Sequence, residues 1–100
     1  MIFNVKKIIN SKFAIKEDKG NILYSQLKEN LEKKENIELD FSEIVASTTR
    51  FFNVSLGKLY GEFPEKIVDN IKISNANKVV ANQIEVSKNG SKDFYRNKKI

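Results

Sequence analysis

Apolar and polar positions alternate along this chain in two rhythms, a period of two and a period near 3.6, and the switches between them mark its elements. Ile2 to Ile9 reads as a strand with Phe3, Val5 and Ile9 on one face, while Lys6 and Lys7 limit burial of the other. From Glu17 or Asp18 to about Lys34 the spacing predicts a helix. Its acidic start suits a helix N-terminus, and Leu23, Leu27 and Leu31, with Tyr24 beside them, form one stripe opposite Lys28, Glu29, Glu32 and Lys33.

Ile37 to Phe41 returns to the strand period, with Ile37, Leu39 and Phe41 on one face and Glu38 and Asp40 on the other. A helix is then predicted from Thr48 or Thr49 to Tyr60, its apolar face made by Phe52, Leu56, Leu59 and Tyr60 with Phe51 as a shoulder. Gly57 inside it costs about 1 kcal/mol of helix propensity relative to alanine, which a close approach to the sheet or to a partner would explain. Pro64 to Asn70 predicts a short helix and Ile71 to Ile73 a further strand. Ser74 or Asn75 reads as the cap of a last helix with Val80, Ile84 and Val79 inward, and Asn89-Gly90 as its stop.

Strands separated by helices run parallel through crossover connections, so this order defines an α/β unit with a small, largely parallel sheet and helices packed against it. One hundred residues suffice for one such domain. The chain contains no cysteine and no histidine, which excludes disulfides, thiol nucleophiles, histidine bases and structural zinc of the usual kind. No apolar run is long enough to span a bilayer and the first ten residues mix charge with apolar groups, so the expectation is a soluble, cytoplasmic protein without a membrane partner.

The formal charge of +5 is unevenly placed. Residues 88–100 hold five Lys and Arg against one acid, whereas residues 1–87 carry 13 bases and 12 acids. The chain therefore divides into a near-neutral domain, 1–87, and a basic tail, 88–100, read first as a solvated end. In the alternative reading Lys92, Arg96, Lys98 and Lys99 bind nucleic acid, as in a small phage or mobile-element regulator; Phe94 and Tyr95 could stack on bases or anchor a partner, or instead fold back onto the sheet and order the tail.

The chemistry most worth following lies in Ile37 to Tyr60, IELDFSEIVASTTRFFNVSLGKLY, where Ser47, Thr48 and Thr49 stand at a strand-loop-helix junction. Such hydroxyls can meet an anion, or one of them can simply cap the helix, worth about 1 kcal/mol. The segment resembles the STAS-like domains, related to the STAS modules of anti-sigma-factor antagonists and anion-transporter tails, whose strand ends in Leu-Asp before a Ser/Thr-rich helix start. The resemblance extends over Phe13 to Val86 and includes the Glu17-Asp18-Lys19-Gly20 segment at the first helix.

That resemblance implies a small STAS-like mixed, largely parallel sheet and a non-catalytic regulatory module without a cofactor or metal. It implies docking through Ser47, Thr48, Arg50, Phe51 and Asn53 onto a partner such as a GHKL-type kinase or ATPase, with Thr48 or Thr49 as phospho-acceptor. The antagonists' Asp-Ser-Ser-Gly-Leu motif corresponds here to Ser47, Thr48, Thr49, Arg50 and Phe51, so its aspartate and glycine are replaced. Asp40 with Glu43 is a weaker candidate, a pair of carboxylates near a loop that could serve Mg²⁺ or merely the turn.

Overall fold

In the computed structural model, which describes residues 1–98, three strands of three residues each lie side by side: β1 (Ile2–Asn4), β3 (Glu38–Asp40) and β5 (Lys72–Ser74). They are parallel, in the order β1-β3-β5, with Phe3, Leu39 and Ile73 in register across the sheet. Those three side chains point to the core, while Ile2, Glu38 and Lys72 face outward, where a Lys72–Glu38 pair of 3.7 Å bridges two strands. The sheet is thus covered on one face only, unlike most all-parallel sheets.

The covering layer consists of helices. α2 (Glu17–Glu32) buries Gly20, Leu23, Leu27 and Leu31, the stripe expected from the sequence. Phe51 and Phe52 of α3 (Thr49–Val54) pack edge-on at 5.2 Å, and Phe52 meets Phe41 at 5.9 Å, so an aromatic cluster ties α3 to the end of β3. α5 (Glu65–Asp69) follows Pro64, as anticipated for a short helix there. The strand around Ile71 to Ile73 is also present, as β5.

The first expected strand is shorter than its apolar pattern suggested. After β1 the chain turns into α1 (Val5–Ile9), because Asn4 caps a helix by accepting from the Lys7 amide at 2.9 Å and Asn10 closes it in the left-handed region at φ 54°. Val5 and Ile9, four apart, are both fully buried, a spacing that serves a single helical turn as well as a strand. The chain then forms β2 (Phe13–Ala14), parallel to β4 (Ala46–Ser47), a pair too short to have left a signal in the sequence.

The helix expected to run to Tyr60 breaks at Ser55 into α3 and α4 (Leu56–Leu59). The fully buried Ser55 hydroxyl donates to the Phe51 carbonyl at 2.9 Å, and its backbone leaves the helical region at φ −109°, ψ −91°. Gly57 does permit a close approach, but to the last helix: a Cβ there would meet the hydroxyls of Ser91 and, at 3.3 Å, Ser87.

That last helix, α6 (Lys78–Lys98), departs most from expectation. Its cap is Asn77, whose Oδ1 accepts from the Val80 amide at 2.9 Å, because Ser74 belongs to β5 and Asn75 sits at φ 57° with its amide donating to Asp40. Val80 and Ile84 are buried, whereas Val79 is exposed. No stop occurs at Asn89-Gly90. The helix continues without interruption across the expected boundary between residues 87 and 88, because the residues beyond it have tertiary partners that outweigh the weak helix propensity of glycine. No helix among the described residues is long and apolar enough to cross a membrane.

Candidate interaction site at the start of α3

The three neighbouring hydroxyls at the β4–α3 junction have three different environments. Ser47 lies in β4 and is buried, its hydroxyl donating to Gln83 Oε1 of α6. Thr48 is the N-cap of α3: its Oγ1 accepts from the Phe51 amide at 3.2 Å and donates to the Ile15 carbonyl at 3.4 Å, joining the helix start to the end of β2. Thr49 is half-buried, and among the described residues its hydroxyl makes no hydrogen bond. The cluster is therefore not one cradle of hydroxyls, and only Thr49 is left to offer its oxygen outward.

Arg50 and Asn53 complete the accessible surface. The Arg50 side chain is 75% exposed and pairs with Glu17 of α2 at 3.0 Å. Asn53 is exposed as well, its Oδ1 accepting from Ser87 Oγ at 2.6 Å across the α3–α6 seam. Phe51, expected from the resemblance at a partner surface, is fully buried in the aromatic cluster, where burying its ring against Phe52 and the core places it out of a partner's reach. Of the proposed docking residues Thr48, Arg50 and Asn53 remain accessible, with the candidate phospho-acceptor Thr49 among them, while Ser47 and Phe51 are buried.

Two clefts flank this surface. One, of about 470 Å³, runs between α3 and α6 and is lined by Thr49, Asn53, Val86, Gly90, Ser91, Phe94 and Tyr95. The other, of about 440 Å³, lies against β2 and the start of α2, where Thr48 bonds the lining residue Ile15. Neither was legible beforehand: both depend on β2 or on the second half of α6.

Asp40 ends β3 and is engaged structurally. Hydrogen bonds from the Ser42 hydroxyl (2.6 Å), from the Asn75 side-chain amide (2.9 Å) and from the Ser42 backbone amide (3.0 Å) hold its carboxyl down at about 2. Glu43 turns away to pair with Lys6 at 3.1 Å, and no group of three or more metal-ligating acids assembles among the described residues.

The basic residues near the C-terminus are largely taken up by acids. Arg96 makes two bonds to Glu65, at 2.6 and 2.7 Å, and Lys92 approaches Asp69 at 3.0 Å with Lys88 at 4.0 Å. Asp69 also accepts from Tyr60 at 2.6 Å. Burial alone would raise the Asp69 carboxyl, but the Tyr60 and Lys92 bonds outweigh it and hold the group below its ordinary range; burial and that carboxylate push the Tyr60 phenol up. Tyr95 lies over Gly61 in the loop between α4 and α5 rather than on the sheet, and Phe94 is half exposed with Lys98 over its ring at 4.6 Å. Lys99 lies outside the described residues. The expected solvated end is a docked helix among the described residues, in which Lys92 and Arg96 of the nucleic-acid reading are paired with acids and Lys98 lies over the Phe94 ring.

A one-sided parallel sheet under a helical layer, with a helix start following the central strand, is the architecture of a small α/β domain. The chain belongs to the family described as the STAS-like domain of unknown function (DUF4325), whose model matches residues 19–81, from the first turn of α2 to the first turn of α6. No curated protein and no solved structure matches the chain in the other two comparisons.

Proposed function

We propose that this STAS-like domain is a non-catalytic regulatory module that docks a protein partner through the start of α3, in the manner of the anti-sigma-factor antagonists it resembles. The observation that supports this reading is the accessible group formed by Thr48, Thr49, Arg50 and Asn53 within the matched span of the family. A GHKL-type kinase or ATPase is the partner class that the resemblance suggests. If the site is switched by phosphorylation, Thr49 is the more open acceptor, because Thr48 already spends its oxygen on the cap and on Ile15.

The test is affinity capture from the native host with the parent chain beside Arg50→Glu and Thr49→Glu. A partner held by the parent and lost by both variants is the expected outcome. Retention of every partner by both variants would remove this surface from the function.

A further inference from the structure

We propose that the cleft beside Thr48 and Arg50 takes a short acidic segment of the partner protein, anchored by an apolar side chain. This inference rests on the docking reading above and assigns the partner its chemistry. The cleft is lined by Asn10, Ser11, Phe13, Ile15, Lys16 and Lys19. Phe13 is 53% exposed and Ile15 43% exposed, so two large apolar side chains stand in water at the same cleft. Isolated exposed apolar residues need no explanation; two that share a concave surface are what an anchoring side chain requires.

Charge selects the occupant. Lys16 and Lys19 line the cleft and the exposed Lys12 adjoins Phe13, and none of the three has an ion-pair partner among the described residues. Of the two neighbouring acids, Glu17 is engaged by Arg50, and Asp18 accepts from the Lys19 amide at 3.0 Å. The lining itself contains no acid, whereas the cleft between α3 and α6 is lined by no charged residue at all. An apolar floor with lysines at its rim complements carboxylates flanking an apolar anchor and repels a basic segment.

The mode of binding follows from β2. On the side facing β4, the Lys12 and Ala14 carbonyls accept from the Val45 and Thr48 amides that flank it, leaving the amide and carbonyl of Phe13 on the outer edge, where the Ser11 hydroxyl meets both at 3.0 and 3.3 Å. That edge is already satisfied, so an incoming strand gains little there and recognition falls to side chains in the cleft. The cleft adjoins the docking surface through Ile15, which lines it and whose carbonyl accepts from Thr48, while Arg50 bonds Glu17, the residue after the lining Lys16.

Selection of short random peptides displayed on phage against the immobilised full chain tests this directly. The expected peptides combine Asp or Glu with Phe, Leu or Trp. They should bind about tenfold more weakly to the Lys16→Glu/Lys19→Glu double variant and to Phe13→Ser, retain binding to Lys16→Arg/Lys19→Arg, and weaken with added salt. Selected peptides without acidic enrichment, or ones that bind the charge-reversed variant equally well, would overturn the assignment. Binding of phosphatidylcholine vesicles containing phosphatidylserine by the parent and not by the double variant, without peptide binding, would give the cleft to a lipid surface and overturn it too. In host capture, loss with Arg50→Glu but not with the lysine reversals leaves docking at α3 standing and this cleft refuted; loss with neither refutes docking at α3, while the peptide result still decides the cleft.

Discussion

Gly90→Ala is the substitution on which two accounts of the C-terminus disagree in sign. If Asn89-Gly90 ended the helix, glycine would occupy a left-handed position and alanine would destabilise the protein. In the structure α6 runs through Gly90 to Lys98, no glycine has a positive φ, and a Cβ built at Gly90 meets nothing within 4 Å. Alanine there adds no clash and gains the helix-propensity difference, about 1 kcal/mol. Unfolding entropy of roughly 2 cal/mol/K per residue over a chain of this size converts that gain into a rise in Tm of about 5 °C. Urea denaturation should show a higher midpoint at unchanged slope, the signature of a stability change without a change in exposed surface. The gain reaches global stability only if the second half of α6 unfolds with the rest. The ion pairs to Asp69 and Glu65 and the Tyr95–Gly61 contact provide that coupling. A fall in the midpoint would refute the continuous helix, and no change would show its end to be uncoupled from the domain.

Gly61→Ala should act in the opposite direction, because its Cβ would lie 2.7 Å from Cζ of Tyr95; displacing the ring is expected to cost about 1–3 kcal/mol in a denaturant titration and to alter the tyrosine near-ultraviolet signal. Asp69→Asn weakens the Lys92 pair and the Tyr60 bond together, and with Asp69 partly exposed the expected loss is about 1 kcal/mol, smaller again in high salt. Asp40 has its carboxyl lowered from 3.8 to about 2, so its stabilising contribution is full above pH 4 and disappears as pH falls through about 2. Asp40→Asn should therefore flatten the acid limb of a stability–pH curve between about 4 and 2, and an unchanged limb would show that the Ser42 and Asn75 bonds carry no such linkage.

The parts of this fold that the sequence disclosed are those in which one periodicity persists long enough to be decided. Leu23, Leu27 and Leu31 repeat over two turns of α2, and Ile37, Leu39 and Phe41 alternate through the central strand, so both elements were legible. Val5 and Ile9 span one turn, a length at which helix and strand patterns coincide, and the caps at Asn4 and Asn10 decided the matter. The break at Ser55 arises from a side-chain bond to Phe51 inside an otherwise helical apolar pattern, and the long reach of α6 arises from acids on α5 more than twenty residues away in sequence. Such tertiary causes leave no local trace. For the site the division is similar: position in the chain pointed to Ser47 through Asn53, but which of these side chains face water depended on α6 and on the unforeseen β2–β4 pair.

That division has a consequence for any switch at the α3 start, because Thr48→Glu and Thr49→Glu would test different things. Thr48 is the cap, and replacing it removes the bond to the Phe51 amide and the link to Ile15; a capping loss of about 1 kcal/mol follows. A binding defect in Thr48→Glu is therefore mixed with loosening of the junction between β2 and α3. Thr49 lies one residue further, at the cleft between α3 and α6, where a phosphate would add roughly −1.5 to −2 charge beside Arg50 and compete with Glu17 for its guanidinium. Thr49→Glu should leave the unfolding midpoint within about 0.5 kcal/mol of the parent while still reducing capture of the partner. Equal destabilisation by the two substitutions would mean that Thr49 is as structural as its neighbour. Undiminished capture by a stable Thr49→Glu variant would leave Arg50 and the lysine-rimmed cleft as the surface that remains to explain recognition.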